Sequence, residues 1–240
     1  MALTVSLMYP LPAEPRISIV VPALNEERLI EQTLKNAREI VPEAEIIVVD
    51  GGSKDGTVKI AEKYAKVYVE KGNIATARNT GAERSVGYIV VFLDADTTIT
   101  RQFIDEVKKN FRDPKIVGAG GLIMPHPKNL LQEVFFYFFN FLIMASFIWE
   151  PFLSGTCVAY KRKPFFEVGG FDVARKASED IDLCKRISKK GKVAFLREVI
   201  VRTSRRRVEN LGLMGVITDW TRVTVHYLQD SKVENYRTFR

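Results

Sequence analysis

The first hundred residues alternate unbroken apolar runs with stretches of helical periodicity. Residues 17–21 are rich in β-branched side chains and end at Pro22, the pattern of a strand buried on both faces. Asn25 reads as a helix N-cap, with Glu26 and Glu27 in a first turn and Ile30, Leu34, Ala37 and Val41 following at helical spacing. Residues 46–49 form a second buried strand that ends at Asp50. The glycine-rich loop 51–56 leads to a helix near 57–65. A short strand near 67–69, a helix over 74–85 and a third long strand over 88–93 follow, the last ending at Asp94-Ala95-Asp96. Runs rather than alternation predict an α/β fold whose mostly parallel central sheet is flanked by helices on both faces. Such sheets bind ligands beyond the carboxyl ends of their strands. Three polar clusters, at 22–25, 50–55 and 94–96, would therefore converge on one crevice.

The second half is less regular. Residues 116–124 read as a strand broken by Gly118, Gly120 and Gly121, and 156–160 as another. Ser178 opens a helix reaching 189, short strands are expected at 192–196 and 199–203, and 208–228 reads as a helical tail. The boundaries expected are an extension at 1–15, a catalytic domain at 16–207 and a C-terminal helical tail at 208–240. Between them, Val134 to Trp149 holds six of the 15 Phe and no charge. The window is shorter than the roughly 20 apolar residues of a membrane span, and Asn140 and Ser146 interrupt it. It reads as a core helix, as a face for a membrane surface or lipid-linked acceptor, or as a homo-oligomer interface. Leu211, Leu213, Met214, Val216, Ile217, Trp220, Val223 and Tyr227 mark the tail as a second candidate interfacial element.

Composition narrows the classes. Apolar residues make up 46% and charged residues 27% of 240, which excludes a disordered chain, a collagen and a coiled coil. Cys157 and Cys184 are too few for a disulfide framework or a four-thiolate zinc site, and suit a reduced, cytoplasmic protein. Residues 1–15 carry no Lys or Arg and are not read as a signal peptide. The net charge of +7 would favour an anionic membrane face and a peripheral location there. Nucleic acid is not an expected partner, because no nucleic-acid module is present and the aromatic residues are not interleaved with the basic run.

The polar clusters carry the candidate chemistry. Asp94 and Asp96 end a buried strand. On an extended backbone residues two apart face the same way, so both carboxylates could face one ion. Oxygen ligands beside phosphates suit Mg²⁺ or Mn²⁺. Gly51 and Gly56 have P-loop spacing, but Thr57 stands where that motif needs Lys, and no G-x-G-x-x-G occurs. A nucleotide would be held by side chains and a metal instead.

Taken together, Val20-Val21-Pro22-Ala23-Leu24-Asn25-Glu26-Glu27, Val48-Val49-Asp50-Gly51-Gly52-Ser53-Lys54-Asp55-Gly56-Thr57, Ala77-Arg78-Asn79-Thr80-Gly81-Ala82 and Phe92-Leu93-Asp94-Ala95-Asp96 resemble the family 2 glycosyltransferases of GT-A fold. Gly169-Gly170-Phe171-Asp172 and Ser178-Glu179-Asp180-Ile181-Asp182 resemble that family's acceptor-side motifs. The resemblance implies a metal-dependent, inverting transfer from a UDP- or GDP-linked sugar. Pro22, Ala23, Asn25 and Glu26 would pack on the base and ribose. Asp50 would accept a hydrogen bond from the base, while Ser53 and Asp55 line the pocket. Arg78 would approach the diphosphate and Asp94 the ribose. Asp96 would hold the metal and Asp180 would be the base. Gly155, Glu179, Arg205 and Arg206 would lie on the acceptor or diphosphate side. No Q-x-x-R-W motif follows Asp180, so transfer of a single sugar is expected rather than polymerisation. The acceptor would be a polyprenyl phosphate or glycolipid, if lipid-linked. No histidine ligand is evident, since the only histidines are His126 and His226.

Plainer readings stand beside these. Ser178, Glu179 and Asp180 have the composition of an ordinary helix start, worth about 0.3–1 kcal/mol per acid. Asp182 and Arg186 have the spacing of a surface ion pair. The basic run Arg202, Arg205, Arg206 and Arg207 could be a solvated face or a phosphate-binding cluster. A non-catalytic nucleotide-sugar or membrane-binding protein could keep the same fold.

Overall fold

The computed structural model describes residues 8–228 apart from Lys128 and Lys176; the side chains of Thr224, His226, Tyr227 and Leu228 also lie outside the described set. Tyr227 of the expected tail surface, and the outer parts of both terminal segments, therefore fall outside the description. The chain runs β1 (Ile17–Ala23), α1 (Ile30–Ile40), β2 (Glu45–Asp50), α2 (Thr57–Ala61), β3 (Lys66–Val69), α3 (Ile74–Arg84), β4 (Ile89–Leu93) and β5 (Thr97–Thr98). It continues with α4 (Arg101–Phe111), β6 (Ile116–His126), α5 (Leu130–Ser146), β7 (Cys157–Lys161), α6 (Arg162–Glu167), α7 (Glu179–Ser188), β8 (Lys192–Ser204) and α8 (Arg206–Leu228).

Among the described residues the strands form one sheet in the order β3-β2-β1-β4-β7-β6-β8-β5. Neighbouring strands from β3 through β4 are parallel, and so are β6 and β8. β7 runs against both its neighbours, and β5 runs against β8. The sheet is thus mostly parallel, as the apolar runs predict. β1 and β4 are buried at every position, which is why they read as runs. One face packs on α1 and α4 through Ile30, Leu34, Phe103, Ile104 and Val107.

Four expectations change. α1 starts at Ile30, not after Asn25, because Asn25 is left-handed at φ 54° and the chain bends through residues 26–29 first. The two short strands expected at 192–203 are one strand, β8, whose pairing with β6 slips between Gly121 and Leu122. α4 was not foreseen, although Thr100 caps it by accepting from the Phe103 amide. α6 was not foreseen either.

The other sheet face shapes the site. α3 lies unusually close to β1, because a Cβ on Gly81 would stand 2.2 Å from Val20 Cγ1. Ala75, Ala77 and Ala82 add to this small, buried face. The motif Ala77-Arg78-Asn79-Thr80-Gly81-Ala82 is therefore first a packing surface, and its closeness carries Arg78 under the strand ends. Asn79 grips the second half of the chain: its Nδ2 donates to Phe171 O (2.8 Å), and its Oδ1 accepts from Phe171 N (2.9 Å).

α5 divides the aromatic window. Phe135, Phe136, Asn140 and Ile143 are buried against β6 and α8. Asn140 does not merely interrupt the run. It accepts from Ile123 N (2.9 Å) and donates to Ile123 O (2.7 Å), fastening α5 to β6. Tyr137, Phe138, Phe141 and Leu142 lie on the exposed side, and Trp149 beyond the helix is 82% exposed. α8 covers part of α5 through Trp220, whose ring centroid lies 4.3 Å from that of Phe139. α8 itself is two helical segments meeting at Gly212, where φ is 68°. No helix among the described residues is long and apolar enough to cross a membrane.

Candidate active site

The polar clusters at the carboxyl ends of β1, β2 and β4 lie together and are stitched to one another by side chains, with Arg206 linking Glu26 to Asp96. Ala23 accepts from the Gly51 amide (2.8 Å), tying the end of β1 to the loop after β2. The Asn25 amide donates to Ser53 Oγ (2.7 Å), and Asn25 Oδ1 accepts from the Lys54 amide (2.9 Å). The Glu26 amide donates to Thr57 Oγ1 (2.7 Å). Asp55 accepts from the Thr57 amide (3.0 Å) and hydroxyl (2.5 Å) and from the Glu27 amide (3.2 Å). Desolvation would raise the Asp55 pKa, but these hydrogen bonds outweigh it and hold the carboxyl below its ordinary range. Pro22 and Ala23, buried at the end of β1, form the floor beside these loops.

Asp50 spends its carboxylate on its own turn. It is fully buried, and its carboxylate accepts from the Gly52 and Ser53 amides (2.9 and 2.8 Å) and the Ser53 hydroxyl (2.5 Å). It braces the turn that presents Ser53. Gly52 at φ 98° supplies the left-handed residue that this turn requires.

The two acids of the D-x-D pattern do not share one direction. The chain turns after Asp94, whose carbonyl accepts from the Thr97 amide (3.1 Å), so the extended-strand argument fails there. Asp94 Oδ1 accepts from Arg78 Nη2 (3.0 Å). Asp96 Oδ2 accepts from Ser204 Oγ (2.5 Å) and lies 3.4 Å from Arg206 Nη2, while its Oδ1 accepts from the hydroxyls of Thr97 (3.3 Å) and Thr203 (3.4 Å). The surroundings of Asp96 are thus hydroxyl oxygens at the ends of β5 and β8. A cavity of about 270 Å³ opens beside it, lined by Thr33, Thr98, His126, Arg202 and Ser204 among others. His126 comes to this cavity because the end of β6 pairs with Ser204. Spacing along the chain gave no signal of this. Among the described residues no three His, Cys, Asp or Glu are grouped to hold an ion by themselves. A single carboxylate among hydroxyls would suit Mg²⁺ or Mn²⁺ whose remaining ligands come from phosphate and water, with Arg206 3.4 Å from the same carboxylate.

Arg78 also changes position. Its side chain is 2% exposed, beneath the crevice rather than in it. Nη1 meets Glu179 Oε1 (2.8 Å), and Nη2 meets both Asp94 Oδ1 (3.0 Å) and Gly155 O (2.8 Å). The Phe171 ring lies under the guanidinium, 5.2 Å away. Desolvation would lower the Arg78 pKa, but Asp94, Glu179 and Asp180 outweigh it and keep the group charged. Desolvation and the Asp180 charge push Glu179 up, and Arg78 opposes them. Arg78 is therefore a strut that joins Asp94, Gly155 and Glu179, with its guanidinium occupied by these partners.

Asp180 sits at the start of α7, half-buried, with Oδ2 accepting from the Gly155 amide (2.8 Å) and Oδ1 from the Ile181 amide (2.9 Å). Ser178 is not its cap. That residue is left-handed at φ 60°, and its hydroxyl donates to Ala177 O (2.5 Å) instead of a helix amide. This unusual conformation sends Glu179 inward to Arg78. Asp182 and Arg186 do form the pair their spacing suggests (2.6 Å). Arg205 is engaged by Glu209 (2.9 Å) one turn along α8, and Arg207 by Asp219. Arg206, by contrast, reaches across the crevice to Glu26, with two contacts of 2.8 Å. A larger cleft of about 710 Å³ lies at the opposite end of the sheet, around Arg16, Arg38, Glu45 and Lys108. Glu45 there pairs with Lys66 and Arg38 is spent on backbone carbonyls, so no chemistry is assembled.

Gly155 is the narrow point of the assembly. A Cβ there would stand 2.8 and 2.9 Å from the Arg78 Nη atoms, which their ion pairs hold in place. Gly155→Ala is expected to lose about 1–3 kcal/mol of stability by overpacking, measured by urea unfolding. An unchanged midpoint would show that the strut is not rigid.

With this geometry in place, known proteins can be compared. The profile of Glycosyl transferase family 2 matches residues 18–169. Glycosyltransferase AglE of Haloferax volcanii is 27% identical over 201 residues, which cover 78% of this chain and 66% of AglE. EpsJ of Bacillus subtilis, an uncharacterized glycosyltransferase, is 33% identical over 118 residues, 44% of this chain and 34% of EpsJ. The chain thus spans from 34% to 66% of the length of these two curated relatives. Mannosyltransferase PcManGT from Pyrobaculum calidifontis, solved with GDP-Man and Mn²⁺, aligns with a TM-score of 0.66 at 26% identity over 81% of this chain and 59% of its own. S. aureus TarS 1–349, solved with UDP-GlcNAc, aligns at 0.62 and 19% identity over 80% of this chain and 59% of its own, a likeness of fold alone. The sheet, the crevice at its strand ends and the family match agree: the chain belongs to glycosyl transferase family 2 and has the GT-A fold.

Proposed function

We propose that the protein is an inverting, metal-dependent glycosyltransferase that moves one sugar from a nucleoside-diphosphate sugar to an acceptor hydroxyl or phosphate. The observation that carries this reading is the Arg78 strut. It holds Asp94 on the donor side and, through Glu179 and Gly155, the Asp180 helix start on the other side of one crevice. The donor is a UDP- or GDP-linked sugar, and the GDP-Man bound by the Pyrobaculum neighbour supports the guanosine option. Pro22, Ala23, Asn25 and Ser53 would line the base and ribose pocket, with Glu26 and Asp55 fixing its loops.

Mg²⁺ or Mn²⁺ held by Asp96 would supply positive charge to the leaving diphosphate. Asp180 takes the acceptor proton as the acceptor oxygen bonds to the anomeric carbon. The bond from that carbon to the diphosphate oxygen breaks, and the configuration inverts. The Gly155 amide aims the Asp180 carboxylate, and Arg78 keeps its neighbour Glu179 from competing for the same space. Asp180→Asn is expected to lower kcat by about 10²–10⁴-fold while the donor still binds. Full turnover in that variant, measured by release of nucleoside diphosphate, would assign the base to a different residue, whereas no turnover in the wild type with any donor would favour the non-catalytic binding reading.

The acceptor is proposed to be lipid-linked, a polyprenyl phosphate or glycolipid at a membrane surface. The exposed side of α5, with Tyr137, Phe138, Phe141 and Leu142, and the net charge of +7 support it. The protein would then sit peripherally on the cytoplasmic membrane face. It is expected to float with anionic liposomes at low salt, and Phe138→Asp with Phe141→Asp to abolish flotation. Protein that stays soluble throughout, but loses a dimer in the same variant, would assign the face to self-association.

A further inference from the structure

Arg206 stands at the first turn of α8, where β8 has just delivered Thr203 and Ser204 to Asp96. Its guanidinium makes a two-point contact with Glu26, 2.8 Å at each oxygen, and the same Nη2 lies 3.4 Å from Asp96 Oδ2. Glu26 is a firm anchor. It is 5% exposed, and its amide is bound to the Thr57 hydroxyl. A planar guanidinium can span two carboxylates in this way, whereas an ammonium acts as a single point. The Arg206 charge is partly desolvated, so little water screens it from Asp96.

A divalent ion on Asp96 would meet that charge at close range. Two cations on one half-buried carboxylate repel, and the repulsion must be relieved by moving one of them. We propose that Arg206 is a positioning residue that competes with the divalent ion for Asp96. Glu26 sets the balance by holding the guanidinium back. Ion entry then shifts Arg206 fully onto Glu26 and biases the β8–α8 junction. α8 carries Trp220 against the aromatic helix α5, so the metal side and the apolar face are mechanically continuous. The inference rests on Asp96 being the metal carboxylate, as proposed above.

The test is a set of Mn²⁺ dissociation constants, read from the electron paramagnetic resonance signal of free Mn²⁺. The full chain is used, without nucleotide and with GDP or UDP. Arg206→Gln is expected to bind Mn²⁺ about fivefold or more tightly, a coupling of ordinary allosteric size. Glu26→Gln, which leaves the guanidinium to Asp96, is expected to weaken binding in the wild-type background. It should have little effect in the Arg206→Gln background, because its influence runs through Arg206. Should Arg206→Gln fail to fold, Arg206→Lys takes its place and is expected to give a smaller tightening. Unchanged or weaker binding in the Arg206 variants overturns the inference, and so does an equal Glu26→Gln effect in both backgrounds. If wild-type protein binds no Mn²⁺ under any condition, or Asp96→Asn binds as well as wild type, the metal reading falls and the inference falls with it.

Discussion

A single buried cation organises this site. Arg78 is drawn out of water where an unpaired charge would cost several kcal/mol, so its partners are obligatory rather than decorative. Those partners come from the end of β4, the segment before β7 and the first turn of α7, the last of them 101 residues away in sequence. Pairing the two Nη atoms of one guanidinium therefore fixes the distance between Asp94 and the start of α7. The left-handed Ser178 and the missing side chain of Gly155 follow from the same demand. One sends Glu179 inward, and the other leaves room for the guanidinium. Removal of one partner would leave the buried charge only partly compensated by those that remain.

The sheet was legible because burial on both faces writes continuous apolar runs, and β1, β2 and β4 are such strands. The crevice was legible because three of those runs end in polar clusters. What the sequence hid is long-range pairing. Nothing in the spacing says that Arg78 turns to Glu179 and Asp94 instead of outward, or that Asp50 spends its carboxylate on its own turn. Local backbone reversals hid the rest. Asn25 looks like a cap but is left-handed, and the turn after Asp94 separates two acids that an extended strand would align. His126 comes to line the same cavity as Asp96 through the pairing of β6 with β8. α4 was legible but overlooked: Phe103, Ile104, Val107 and Phe111 carry its buried stripe.

The aromatic window shows that two readings of one segment can both hold. Asn140 and the buried Phe residues make α5 part of the fold, and its other side stays apolar and exposed. A helix apolar nearly all round cannot be covered by one layer, so its second face stays exposed. Through Trp220 that face is joined to α8, and through Arg206 to the carboxylates of the donor side. Asp96 and the exposed apolar face of α5 are thus connected by packed elements rather than by distance alone.

Thermal unfolding with a panel of nucleoside diphosphates, with and without Mn²⁺, tests the central claim most directly. A ligand that binds only the folded chain raises Tm by mass action. The account predicts a rise with GDP or UDP that needs Mn²⁺ and disappears in Asp96→Ala. No rise with any nucleotide, or an equal rise in Asp96→Ala, would contradict the assignment of this crevice to a metal-bound nucleotide-sugar donor.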